Sequence, residues 1–246
     1  MAANASELFH EMLDRVERHS HARRSFDVTS PCDVDTVEAA PGCVFNVQAP
    51  MHNLVDCRPV DPRWAGANVL HFFTGSEEAG ALRYYNRYAD KFLVGDTWRG
   101  AYGAAALDQL KGCVKLLRRS PDSRRAIITM PGYDEENEDV NRPACWTSLH
   151  LLRYRGTLDL LVYQRSLNLI GVMPYDAILL SNVLLYASHF VGMPSGVLRW
   201  CVGSLHRKLG DRVDLVAGRR NLGLIYPPAL LDDATECARL LKIGDV

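Results

Sequence analysis

Apolar residues recur at helical spacing at Leu8, Met12, Leu13 and Val16, which predicts an amphipathic helix over residues 5–18 with Ser6 as its N-cap. Residues 26–66 are rich in Pro, Asp and Val and predict short strands and loops. Helical patterns cover 77–93 and 104–118, with Gly95, Gly100 and Gly103 breaking the chain between them. Arg125–Met130 is a β-rich run, followed by the acidic loop GYDEENEDVNRPA, which ends at Cys145. The apolar runs Thr147–Tyr154 and Leu158–Tyr163 flank Arg155-Gly156 and predict a hairpin. Residues 174–191 are apolar almost throughout and open with Pro174, which predicts a central buried helix. Gly196–Leu205 reads as a strand and residues 228–241 as a terminal helix. The class is α+β, with a mixed or antiparallel sheet. Without repeats, low-complexity tracts or an evident linker, residues 1–246 read as a single domain.

Composition narrows the function classes. The 246 residues are 48% hydrophobic, enough for one sizeable core, and carry a formal charge of -1. That balance offers no basic surface for nucleic acid, so an anionic ligand must be held by a few placed arginines. No apolar stretch is long enough to span a membrane, and the charged first 25 residues are not a signal peptide. The seven cysteines are odd in number and lack CxxC spacing, which argues against a metal site or disulfide framework and for a cytoplasmic setting.

Four segments could carry chemistry: SPDSRRAIITM with Arg124 and Arg125, RPACW with Cys145, YQRSLNLIGVMPYD with Gln164, Arg165, Ser166, Asn168, Gly171 and Asp176, and VGSLH ending at His206. Singly, each has a plain structural reading: a solvated strand edge, a packed cysteine, a strand end, a carboxylate at a helix N-terminus. Together, their order and spacing resemble the thymidylate synthase family. That family carries a Pro-Cys dipeptide, then Gln-Arg-Ser, then a Pro-Phe-Asn helix start, then Gly-Asp-x-His. Here the matching positions are Cys145, Gln164-Arg165-Ser166, Pro174-Tyr175-Asp176 and Gly203-Ser204-Leu205-His206. Arg124-Arg125 matches the family's paired arginines, and Tyr102-Gly103 its Tyr-Gly. The resemblance is strong over about 95–210 and weak before 65 and after 215.

The resemblance implies a mixed-sheet enzyme that dimerises through its sheet, binds a pyrimidine nucleoside monophosphate and takes a one-carbon unit from 5,10-methylenetetrahydrofolate. Carbon 5 of the base is a poor nucleophile until a thiolate adds at carbon 6. Cys145 would supply that thiolate. A free thiol titrates near ~8.5, so a positive neighbour is needed, and Arg165 is the candidate. Guanidinium forks suit a phosphate dianion. By resemblance Arg165, Ser166 and the partner subunit's copies of Arg124 and Arg125 hold it, with Arg23 or Arg24 as a further contact. Gln164 and Asp176 fall at base-facing positions, Tyr102 at a catalytic one, His206 and Lys208 at the sugar, and Asn168 and Gly171 at the folate.

Departures from the synthases sharpen the reading. Asp176 stands where they carry Asn. A carboxyl can accept from the 4-amino group of cytosine and, when protonated, donate to N3, whereas the Asn amide suits uracil. This points to the cytidylate 5-hydroxymethylase branch. Trp146 replaces the His after the catalytic Cys, which removes a Cys-His hydrolase pair. Asn168 replaces an Asp that contacts the pterin. Asn68 aligns with a Glu that organises proton transfer and cannot itself act as acid or base, leaving Glu77, Glu78 or water. Lys208 replaces a Tyr at the sugar, which favours CMP over dCMP. Besides the hydroxymethylase, the chain fits a methyl-forming synthase or a non-catalytic nucleotide-binding relative.

Overall fold

The computed structural model describes residues 2–18, 20–27, 32–48, 60–80, 82–85, 90, 93–98, 101–131 and 144–211. The acidic loop before Ala144, and the helix expected over 228–241, lie outside the described residues.

Helix α1 (Ala5–Arg18) forms as expected and buries Leu8, Phe9, Met12 and Val16. Its cap is not Ser6. The Asn4 side chain accepts the Glu7 N–H at 2.9 Å, and the Glu7 carboxylate accepts the Ala3 N–H at 2.8 Å. This reciprocal pair satisfies donors that a helix start leaves open.

Strands β1 (Ser20–Asp27), β2 (Cys32–Ala39) and β3 (Cys43–Val47) follow. Helix α2 (Pro62–Thr74) is a helix where loop and strand were expected at its start. The Asp61 carboxylate caps it through the Arg63 and Trp64 N–H groups, and Pro62 fills the first turn. The helical pattern over 77–93 yields only the short α3 (Leu82–Tyr85) and a β4 (Leu93–Val94)–β5 (Thr97–Trp98) hairpin among the described residues. Helix α4 (Tyr102–Arg119) contains Gly103 rather than beginning after it. A Cβ there would collide with the Phe72 carbonyl, so this glycine permits α2 and α4 to touch.

Strand β6 (Ile127–Thr129) leads to the hairpin β7 (Trp146–Tyr154) and β8 (Thr157–Asn168). Arg155 and Gly156 both take positive φ, 50° and 87°, as a tight hairpin turn requires. Helix α5 (Met173–Val191) then crosses to β9 (Ser195–Lys208). The large sheet runs β1-β2-β9-β8-β7-β6, with β3 also paired to β9. β8 and β9 are parallel and the other ladders antiparallel, so the sheet is mixed. α5 is buried along most of its length and packs on β8 and β9, with α1, α2 and α4 around it. Trp146, Leu149, Val162, Trp200 and Val202 meet it from the sheet within one core.

The opposite sheet face is half open. Pairing registers align Val44, Cys201, Tyr163, Ser148 and Thr129 in one row, and Asn46, Arg199, Leu161, His150 and Ile127 in the next. Val44 is 62% and Tyr163 41% exposed there.

Candidate active site

Cys145 sits at the mouth of β7, and two ties place it. Its carbonyl accepts the Arg165 N–H at 2.8 Å, and its own N–H donates to the Tyr102 hydroxyl at 3.3 Å. Tyr102, the first residue of α4, also lies within hydrogen-bond reach of the sulfur. Arg165 reaches back along the same segment, donating from Nε to the Ala144 carbonyl at 3.2 Å. Burial pushes the Cys145 thiol up, and the Asp176 carboxyl adds to this. Arg165 and Tyr102 draw it down but do not overcome burial. In the free protein the expected help from Arg165 therefore leaves Cys145 as a thiol.

Asp176 lies in the first turn of α5, yet its side chain turns into the core and is only 6% exposed. Its Oδ2 accepts from Trp146 Nε1 at 3.2 Å and from Gln164 Nε2 at 3.1 Å. Burial raises its pKa to about 7, and these two donors hold it from rising further. Gln164 is fixed in turn by Trp200 Nε1, which donates to its Oε1 at 2.8 Å. The Trp146 indole stacks on Tyr102, with ring centroids 4.5 Å apart. Thiol residue, tyrosine, indole and carboxyl thus form one contact chain.

The parallel β8–β9 register sets Ser166 beside Ser204 and Asn168 beside His206. Burial lowers the His206 pKa, against the pull of Glu38, which lies opposite it on β2. Burial also opposes ionisation of Glu38, but bonds from Ser204 and Arg23 and the charges of Arg23 and His206 outweigh it. The Arg23–Glu38 ion pair measures 3.0 Å. Arg23 therefore has an internal partner. Lys208 ends β9, with its N–H bonded to the Asp211 carboxylate at 3.1 Å. The Asn168 Oδ1 accepts the Ile170 and Gly171 N–H groups at 3.0 and 2.8 Å and shapes the turn into α5.

Arg124 and Arg125 are not brought to Cys145 within the subunit. Ile127 pairs with His150, five residues along β7 from Cys145. At 3.3–3.4 Å per residue that is about 17 Å, and the two arginines lie further still. Asn68 is half-buried on α2. Glu77 and Glu78 are exposed, and their carbonyls take the Trp98 N–H and His71 Nε2. Sequence reasoning missed Trp200 and Glu38 as members of the site, and the bond from Trp146 to Asp176; the hydrogen bonds and register reveal them.

A thiol before β7, an arginine on β8 and a buried carboxyl at the start of α5 lie together, and such a set has the parts that nucleophilic attack on an anionic substrate requires. The sequence comparisons agree. A model of the thymidylate synthase family matches residues 9–209, and the chain belongs to that family. It is 27% identical over 173 residues to the deoxyuridylate hydroxymethyltransferase of Bacillus phage SP01, an alignment covering 63% of this chain and 45% of that protein. The chain thus spans less than half the length of that curated relative. Among the described residues no helix is long and apolar enough to cross a membrane.

Proposed function

We propose that this chain is a cytidylate 5-hydroxymethylase, acting in the cytoplasm as a homodimer and using 5,10-methylenetetrahydrofolate as co-substrate. The observation that carries this reading is the buried Asp176 carboxyl in the same contact chain as Cys145. A carboxyl with a pKa raised to about 7 is available in its neutral form, which can donate to cytosine N3. Cys145 adds to carbon 6, Arg165 and Ser166 take the phosphate, and His206 and Lys208 face the sugar, where the lysine favours CMP over dCMP. The phage relative, a deoxyuridylate hydroxymethyltransferase, supports a hydroxymethyl product, though on a uracil nucleotide.

The folate, when bound, supplies the one-carbon unit, and water then captures the methylene on carbon 5 of the base. The turn at Asn168 and Gly171 suits such a ligand. Asn168 Nδ2 meets no acceptor among the described residues and is left to meet one on the ligand. The half-open sheet face supports assembly with a second copy. It bears a hollow of about 310 Å³ beside Arg165, lined also by Thr147, Tyr163, Cys201 and Gly203, which the partner subunit's Arg125 would enter.

The test is incubation with CMP, dCMP, UMP and dUMP plus methylenetetrahydrofolate, with mass analysis. The expected product is a cytosine nucleotide heavier by CH2O. A methylated product identifies a methyl-forming synthase, and no product with retained binding identifies a non-catalytic relative. Conversion of the uracil nucleotides alone overturns the assignment to cytosine.

A further inference from the structure

The two oxygens of Asp176 have unlike surroundings. Oδ2 accepts two N–H groups, from Trp146 and Gln164, while Oδ1 accepts none among the described residues. The identity of these donors is fixed by chemistry. An indole N–H can only donate, so Trp200 requires the Gln164 oxygen on its own side and turns the amide NH2 toward Asp176. The same NH2 also donates to the Ser166 carbonyl at 3.0 Å, which leaves the amide no alternative pose. Trp146 is fully buried and stacked on Tyr102, so its indole cannot turn away. With two donors on Oδ2, a proton on this carboxyl is left to Oδ1.

We propose that Trp146 is a positioning residue for base selection: its indole N–H, with the Gln164 amide, holds Oδ2 as the accepting oxygen, so that Oδ1 carries the proton that N3 of the base receives. This rests on the cytosine reading above. In the step, Cys145 reacts as its thiolate, the S–H proton having passed to solvent, and the sulfur lone pair forms the bond to carbon 6. The carbon 5–carbon 6 π pair moves to the carbon 4–carbon 5 bond, and the carbon 4–N3 π pair moves onto N3. N3 takes the proton as the Oδ1–H bond breaks, and that bond's electrons remain on the carboxylate. N–H donors bind a carboxylate more strongly than a neutral acid, so Trp146 contributes more after the transfer than before it.

The titratable groups facing this carboxyl are Tyr102 from α4 and Cys145 before β7, with the Arg165 charge beyond the sulfur. β9 presents Trp200, and β8 presents Gln164. Replacing Cys145 by Ala removes the coupled thiol and leaves a simpler titration.

The experiment is Trp146→Phe, which keeps a ring against Tyr102 and deletes the N–H. Turnover of the cytosine nucleotide should fall about 10- to 100-fold with nucleotide affinity little changed. The readout that a packing role would not move is the Asp176 titration, followed by carboxyl carbon NMR in the Cys145→Ala protein without substrate. Adding Trp146→Phe should raise its midpoint by about one pH unit or more, because the lost donor favoured the ionised form. An unchanged midpoint in a folded protein overturns the proposal. If Trp146→Phe does not fold, Trp200→Phe unlocks Gln164 and should move the same midpoint upward, and no movement there is equally decisive. Because no substrate enters this titration, its failure is separate from any failure of the cytosine assignment.

Discussion

Arg165 donates from Nε to the carbonyl of Ala144, the residue immediately before Cys145, at 3.2 Å. The arginine proposed to bind phosphate therefore also holds the chain that carries the Cys145 thiol. With the Arg165 N–H on the Cys145 carbonyl, the segment is tied on both sides of its peptide bond.

Arg165→Lys keeps the charge but loses both the Nε contact and the guanidinium fork. Nucleotide affinity should fall about 10- to 100-fold, and kcat should fall with it. Weaker binding with unchanged kcat would show that the Ala144 contact does not organise the thiol. Equilibrium binding and steady-state kinetics on the same preparation give both numbers.

Cys145→Ala should lower turnover by about a thousandfold or more, together with tritium release from carbon 5 of the base. Nucleotide binding should change by less than about tenfold, since Arg165 and Ser166 remain. Retained tritium release in this variant would remove Cys145 as the nucleophile.

The span between Arg125 and Cys145 predicts complementation between inactive subunits. Mixed one to one, Cys145→Ala and Arg125→Ala proteins form about half hybrids by random pairing, each with one intact site. Activity should recover to about a quarter of that of the unaltered enzyme. No recovery, once subunit exchange is demonstrated, would place the arginines outside the site.

Asp176 makes stability depend on pH in a definite direction. Its folded pKa, about 7, lies above the ordinary aspartate value of 3.8. The folded state thus holds a proton that the unfolded chain releases, and stability is fully present below about 4 and lost as pH rises through about 7. Asp176→Asn lacks this dependence. Between about pH 5 and pH 8 the variant should gain about 2–3 kcal/mol relative to the unaltered protein, at 1.36 kcal/mol per pH unit. Denaturant unfolding of both proteins at the two pH values checks it, and a constant difference would mean the carboxyl is not desolvated.

Much of the site was legible because its members lie on one continuous stretch, where spacing survives as a signal. Cys145, Arg165, Asp176 and His206 were marked by the segments that carry them, and the helix over 174–191 by its near-total apolarity. The network that gives Asp176 its setting was not legible. Trp200 is 36 residues from Gln164 and carries no local mark of its partner; only the β8–β9 register joins them. Asn4 displaced Ser6 as the cap because Glu7, three residues after Asn4, completes the pair of bonds, whereas Phe9, three after Ser6, cannot. α2 was hidden by a nearly continuous apolar run, although Asp61-Pro62 announces its start. Gly103 looked like a breaker because sequence gives no sign that Phe72 stands against it.

The parallel pairing of β8 with β9 also bears on how the protein becomes functional as it folds. An antiparallel hairpin such as β7–β8 closes locally, but a parallel pair needs a crossover long enough to return to the same end of the sheet, here the whole of α5. Closing that crossover costs chain entropy before its contacts form. Arg165 and Ser166 stand on one side of the ladder and His206 on the other, so nucleotide competence is expected to arrive with this late, non-local closure. A fragment ending before Ser195 would contain the thiol and the carboxyl and still lack His206 and Lys208, the residues proposed to face the sugar, as well as the Trp200 bond that orients Gln164.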